Sequence, residues 1–285
     1  MEATEKTAGA MMRPVRAAAL AFDAVAPTFD ERFGAWASVA AQRRAVRRVL
    51  LQTLPPAGCV LELGGGTGED AAFLAARGYD LLLTDPSPAM VSLAQPKLAP
   101  FYGRAEVAAA EEMESFAARY LSAGGELFDG AFSNFAPLNC VVDLGAVARG
   151  LARLLKPGAP ALLVLFGTSC PGEIVTELLR RRPGQALRRH KRSAVPARLA
   201  GREFNVIYHR RRALQRAFQP WFVLERRIGI GIAVPPSAAE PWISAHPRLL
   251  NAMENIDRFL SSSFAALGDH VLYHFRRTAA PSTME

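Results

Sequence analysis

No apolar run in this 285-residue chain approaches the roughly 20 residues that cross a bilayer. The longest, residues 159–167, suits a buried strand. The apolar stretch near the N-terminus is short and is cut off by Asp23, and Glu2 and Glu5 argue against a transit peptide, so a cytoplasmic protein with no membrane partner is expected. Cysteine is scarce. Cys59, Cys140 and Cys170 are widely spaced, odd in number and free of any CxxC pair, which excludes a disulfide framework and a zinc site; three reduced, mostly buried thiols and no metal are expected. Lysine is scarce too, four residues among 34 Lys and Arg, so the formal charge of +8 is an arginine excess. Much of it lies between residues 180 and 227. Such a balance suits nucleic acid, an anionic surface or an acidic substrate.

Half of the residues are apolar, enough for a sizeable core. No repeat is visible, and the first residues, to about Gly9, read as a loose tail. Residues 18–33 carry Phe22, Val25, Phe29 and Phe33 near helical spacing, interrupted by Pro27. Residues 36–54 form an amphipathic helix ended by Pro55, Pro56 and Gly58. Strands at 59–63, 79–84, 105–110, 127–132 and 161–166 then alternate with helices at 69–77, 87–98, 113–121 and 142–155. That alternation implies parallel crossovers and a doubly wound α/β sheet. The last third differs. Residues 167–201 read as helical, rich in Arg and broken by prolines. A helix at 210–218, a strand at 222–234, a helix at 241–261 and a strand at 269–277 follow. The two strands would pair antiparallel at the sheet edge, giving about seven strands in all.

The chemistry is concentrated in VLELGGGTGED, where Glu62-x-Gly64-x-Gly66-x-Gly68, with Gly65 inside it, follows a buried strand and opens a helix. Glycines there let the backbone turn sharply and approach a ligand. Asp85 ends the next strand, where a carboxylate accepts hydrogen bonds from ribose hydroxyls. The pair points to an adenosine-containing cofactor. A P-loop needs Lys and Ser or Thr where Glu69 and Asp70 stand. A dinucleotide loop wants its third glycine one position later than Gly68, and two carboxylates in the first helical turn repel a pyrophosphate. S-adenosyl-L-methionine carries no phosphate and a positive sulfonium, and fits an acidic loop.

With these residues the chain resembles class I S-adenosylmethionine-dependent methyltransferases. The likeness continues through AAAEEMESF, FDGAFSNFAPLNCV, LARLLKPGAPALLVL and GDHVLYHFRR, covers most of residues 46–277, and is weakest over 167–205. FDAVAPTFDERF resembles the leading helix of the small-molecule branch. The resemblance implies that Glu62 orients the methionine amino group and that the glycines give backbone access to the methionine and ribose. Asp85 would hold the ribose. Pro86, Ser87 and Met90 would border the adenine, with Glu111, Glu112 and Met113 on its other side. Ser133 and Asn134 would face the sulfonium, and Phe29 and Arg43 the methionine carboxylate. The SNF sequence departs from the Asn/Asp-Pro-Pro-aromatic pattern of many enzymes that methylate amino groups of nucleic acids or proteins, which weakens a base-methylating reading.

Methyl transfer needs alignment, exclusion of water and sometimes a base. The candidates for that acceptor chemistry are His209 as base, Tyr208 as a pocket wall or hydroxyl donor, and Asn139 beyond the fourth strand. The Arg clusters at 180–192 and 210–216 read as solvated faces or as contacts to an acidic small acceptor; no RNA-binding module is recognisable. The expected organisation is a tail with cap helices over 1–45 and a methyltransferase domain over 46–285, carrying an Arg-rich insertion at about 167–205. The expected function is methyl transfer to a small molecule, with an RNA methyltransferase and a non-catalytic S-adenosylmethionine-binding module as alternatives.

Overall fold

The computed structural model describes residues 14–279. The tail expected up to Gly9 lies outside the described residues. The chain begins with α1 (Pro14–Val25), a 3-10 turn holding Pro27, α2 (Phe29–Gly34) and α3 (Ala37–Thr53). Then β1 (Cys59–Leu63), α4 (Glu69–Ala75), β2 (Asp80–Asp85), α5 (Pro88–Leu98), β3 (Gly103–Val107), α6 (Met113–Ser122), β4 (Gly130–Ser133), α7 (Leu144–Leu154) and β5 (Pro160–Phe166) alternate. The third strand stops before residues 108–110 because its last pairing is Val107 against Asp85, the end of β2.

Seven strands form one sheet in the order β3-β2-β1-β4-β5-β9-β8, with β8 (Phe222–Ile230) and β9 (His270–Arg277) closing it. The first five are mutually parallel, and β9 runs antiparallel to both β5 and β8, so β8 takes the edge itself. Between the last two strands lies α11 (Pro247–Leu260), which starts at its proline, later than the helix expected from residue 241. Alternate residues of the inner strands feed opposite cores, as the strand period requires. Leu61, Leu63, Ala131, Leu163 and Leu165 pack with α6, α7 and α10 (Arg211–Phe218). Val60, Phe132, Leu162 and Val164 pack with Val46, Val49 and Leu50 of α3 and with α4 and α5. Burial on both faces explains why these strands read as near-continuous apolar runs.

The segment expected to be helical over 167–201 is a correction. It holds α8 (Pro171–Leu179) and the short α9 (Pro183–Ala186), but Val195–Leu199 (β6) pairs antiparallel with Arg202–Val206 (β7) in a separate two-stranded hairpin. Its turn is Ala200-Gly201, both with positive φ (47° and 76°). This is the geometry of a tight hairpin without the Asn-Gly signature that makes one legible. The insertion is anchored by Arg189, 4 % exposed, whose guanidinium meets Glu173 of α8, Asp269 Oδ1 at 2.6 Å and the carbonyls of Gly167 and Asp269.

Candidate cofactor and acceptor site

In the strand order the chain winds outward from β1 through β2 to β3, then returns to β4 on the other side of β1. Loops leaving the carboxyl ends of β1 and β4 therefore diverge, and the crevice between them is where open α/β sheets bind ligands. Three loops meet there, 64–68, 86–87 and 134–136.

In the first loop Gly66 has φ +56° and open space where a side chain would stand, so a ligand can approach its backbone closely. Gly65 is wedged: a Cβ would lie 2.4 Å from Leu83 Cδ1 and 2.9 Å from Glu62 Cδ. Asp85, 7 % exposed, accepts from the Gly66 N–H and the Ser87 N–H, each at 2.9 Å. Burial pushes its carboxyl up to about 6 against the pull of those two N–H groups, and Asp23 adds to the rise. Each oxygen still has a lone pair for a hydroxyl donor. Ser87 caps α5 through the Met90 N–H at 3.1 Å and donates to Asp23 Oδ1 at 2.5 Å, with half-buried Pro86 between Asp85 and Ser87.

Beneath the glycines, Glu62 is 2 % exposed, and its Oε2 has no partner among the described residues. Burial, then the neighbouring Asp70, raise its carboxyl well above the usual range, while Arg43 and Arg47 oppose the rise. Asp70 is the hub of a network the sequence did not reveal. It accepts from Arg47 Nε at 2.6 Å and Asn134 Nδ2 at 2.8 Å, and Arg43 stands 3.9 Å away. Arg43 also lies over the Phe135 ring, 4.9 Å from its centroid. Ser133 Oγ, at the end of β4, is buried and has no partner among the described residues. Phe135 and Ala136 follow with φ of 55° and 64°, a strained left-handed turn of two non-glycine residues. Buried polar atoms without partners are rare, and two of them at this crevice mark where a ligand's polar groups fit.

Two covers meet over the crevice. From α1 and α2, Phe22, Val25 and Phe29 pack on Met90. Asp30 accepts from Thr67 Oγ1 and Lys97 Nζ, both at 2.6 Å, tying α2 to the glycine loop and to α5. From the hairpin, Phe204 meets the Phe22 ring at 5.9 Å. Phe29 is thus part of an apolar seam with Met90.

The structure draws together Glu62, residues 64–68, Asp85, Pro86, Ser87, Met90, Ser133, Asn134 and Arg43. It does not bring the other expected residues into the same role. Met113 is 0 % exposed and packs beneath Gly150, where a Cβ would come within 2.4 Å, so it belongs to the core. Glu111 and Glu112 stand on a 3-10 turn, Glu111 half-buried and close enough to raise the Cys140 thiol, which burial pushes up to about 12. Asn139 is 0 % exposed; its amide donates to the Ile207 carbonyl at 2.5 Å and accepts from the Phe166 N–H at 3.0 Å, so it clamps the β4 and β7 exits rather than meeting an acceptor. His209 points Nε2 at the Val141 carbonyl, 3.0 Å away, and burial lowers its pKa. The backbone carbonyls of Val141 and Leu138 both bear on this ring, which commits it to the loop after β4. Tyr208 is buried against Phe166, with ring centroids 6.0 Å apart, and its pKa is raised by burial.

A separate cavity of about 340 Å³ lies behind α3, bordered by Gln42, Val49, Ile228 and Asp257. Asp257 is committed to the N–H groups of residues 232–234 there, and this cavity is not the crevice. Among the described residues no cluster of three or more His, Cys, Asp or Glu is arranged to hold a metal, and no helix is long and apolar enough to cross a membrane.

Comparison with known proteins agrees with this architecture. No curated protein matches the sequence. Among solved structures, a Listeria monocytogenes protein provisionally described as an S-adenosylmethionine-dependent methyltransferase aligns at 15% identity and a TM-score of 0.54, covering 81% of this chain and 96% of that one. The protein described for conversion of a disulfide bond into a thioacetal group during echinomycin biosynthesis aligns at 22% and 0.50, covering 84% and 83%. The geranyl diphosphate C-methyltransferase of Streptomyces coelicolor A3(2) aligns at 14% and 0.50, covering 83% and 79%. A methyltransferase-domain family model matches residues 34–220, most of the chain, and with the strand order and glycine-loop crevice this makes the protein a member of that family, a class I S-adenosylmethionine-dependent methyltransferase.

Proposed function

We propose that the protein methylates a small-molecule acceptor held beneath the two covers. The observation that carries this reading is the Phe22–Phe204 contact, which joins the N-terminal helices to the hairpin over the crevice and so obstructs the open face that a folded RNA would need. The two fold neighbours at a TM-score of 0.50 act on small molecules by their own descriptions, which supports it.

Bound at this crevice, S-adenosylmethionine supplies an electrophilic methyl carbon. Asp85 would take the ribose hydroxyls on its free lone pairs, and the open side of the Gly66 backbone would admit the same moiety. The unpartnered Glu62 Oε2 receives the ammonium of the methionine end, and Arg43, beside Asp70 and Phe135, is placed for the carboxylate. Ser133 Oγ fits the sulfonium side. Met90 and Ser87 border the adenine, and the covers exclude water. Of the 1–45 segment, the described residues 14–45 act with the insertion at 167–205 as the covering parts, and the rest as the catalytic body.

Calorimetric titration with S-adenosylmethionine, S-adenosylhomocysteine and NAD tests the cofactor, and mass spectrometry of methylated products from parallel small-molecule and RNA panels tests the acceptor. Binding of the two sulfur ligands with transfer to a small molecule is expected. Binding of NAD alone, or transfer to RNA alone, overturns the proposal.

A further inference from the structure

His209 faces a backbone carbonyl and the Cys140 thiol is held protonated, so neither supplies a base for the acceptor. A different imidazole lies at the carboxyl end of the parallel strands. Because β9 runs antiparallel beside β5, its first residue, His270, pairs with Phe166, the last of β5. His270 is 6 % exposed and stacks on Phe166, with centroids 4.9 Å apart at 28°. The edge of its ring meets Phe135 at 5.9 Å, and Phe135 follows Asn134 in the crevice loop and carries Arg43 over its face. Tyr208 completes the aromatic wall through Phe166.

The imidazole also stands beside a carboxylate. Nδ1 is buried and stands 3.4 Å from Asp269 Oδ2, close enough for charge to act but with no hydrogen bond formed among the described residues. Asp269 is in turn fixed by Arg189 at 2.6 Å and Gln42 Nε2 at 3.1 Å, and His270 and Arg189 beside it hold its carboxyl well below the usual range against burial. The charged groups packed around the ring are therefore Asp269 before it, Arg189 and its partner Glu173 from the insertion, and Arg43 from α3. An ionised carboxylate this near Nδ1 favours the tautomer with the proton there, which leaves the lone pair on Nε2.

We propose that His270, beside Asp269, is the base that receives the acceptor's proton, and that the neighbouring rings of Phe135, Phe166 and Tyr208 suit a flat aromatic acceptor bearing an O–H or S–H group. This rests on the methyl-transfer reading above. As the acceptor's oxygen or sulfur bonds to the methyl carbon, the carbon–sulfonium bond breaks, its electron pair stays on sulfur, and the acceptor's proton moves to His270 Nε2. The imidazolium so formed faces the Asp269 carboxylate and releases its proton to solvent when product leaves.

The test uses the full chain loaded with S-adenosylhomocysteine, with 4-nitrophenol as the probe because its phenol and phenolate differ in colour. In ¹⁵N-histidine NMR of the wild type, His270 is expected as the Nδ1–H tautomer, and its Nε2 resonance moves when the probe is added. At a pH where the free probe is mostly protonated, the bound probe is expected as phenolate. In His270→Gln the bound probe stays protonated, while S-adenosylhomocysteine affinity stays within about two-fold of wild type. Asp269→Asn is expected to erase the tautomer preference. An Nε2 resonance that ignores the probe, or bound phenolate unchanged in His270→Gln, overturns the assignment. The NMR arm needs no variant to fold. Failure of S-adenosylhomocysteine to bind the wild type would instead sink the methyl-transfer reading on which this one rests.

Discussion

Asp85 sets a cost in the empty site that a ligand can recover. Its folded-state pKa is raised from 3.8 to about 6, so its contribution to stability is full below pH 3.8 and is lost as pH rises through 6. The wild type without ligand should therefore lose thermal stability across that window more than Asp85→Asn does, as read by calorimetry at pH 4, 5, 6 and 8; identical pH profiles would remove the burial argument. S-adenosylhomocysteine affinity should run the other way, weakening in the wild type as pH falls below 6, and should be on the order of 10-fold lower in Asp85→Asn for loss of charge-assisted hydrogen bonds. The glycines separate packing from access. Gly65→Ala drives a methyl group into Leu83 and Glu62 and should cost about 1–3 kcal/mol in urea unfolding. Gly66→Ala meets open space, should cost about 1 kcal/mol for its left-handed backbone, and should weaken cofactor binding more than Gly65→Ala does. Equal binding by the two variants would place the ligand elsewhere. At this scale the sequence exposed the acids that end β1 and β2, because strand–loop–helix spacing fixes their place. It hid Asp70, whose partners Arg47 and Asn134 lie 23 and 64 residues away, and His270, whose ring neighbours Phe135 and Phe166 come from two distant segments. His209 was singled out because sequence shows that an imidazole is present but not which atom it faces.

The parallel strands were legible as elements because both faces are buried and each is closed by a helix with clear stops. The hairpin β6–β7 was not. It is short, its burial alternates weakly, and its turn uses Ala200 where Asn would announce it. What holds this segment to the sheet is also invisible in local sequence, since Arg189 reads as one more arginine in a basic run. Its guanidinium is almost fully buried and satisfies Glu173 and Asp269 together. Arg189→Met leaves Asp269 buried without its arginine and Glu173 with Arg188 alone, and is expected to cost about 3–5 kcal/mol as is typical of broken buried pairs. Chemical denaturation reads that loss, whereas Arg198→Met, at an exposed pair with Glu203, should cost under about 1 kcal/mol. A small effect at Arg189 would mean that the insertion is not held through this cluster.

Over the whole molecule the arginine excess divides into two populations. Arg43, Arg47, Arg188 and Arg189 are committed to carboxylates within the fold, while Arg181, Arg182 and Arg210 to Arg212 are exposed. The charge of +8 therefore does not by itself describe a nucleic-acid surface. The deciding property is how the covers respond to ligand. They touch one another through Phe22 and Phe204 and touch the glycine loop through Asp30 and Thr67, so a ligand in the crevice binds the closed fold and not the unfolded chain. S-adenosylhomocysteine at about 100 times its Kd should then add roughly 2.7 kcal/mol by mass action. For a chain of this size that raises Tm by roughly 5–10 °C. The shift should survive an increase in salt, because the contacts are buried, whereas RNA-linked stabilisation through the exposed arginines would fall steeply as salt rises. Phe204→Ala should keep the fold but reduce the ligand-induced rise, since the hairpin loses its ring contact with α1. A full rise in Phe204→Ala would show that the covers do not close on the ligand, and with that the main support for a small acceptor would be gone.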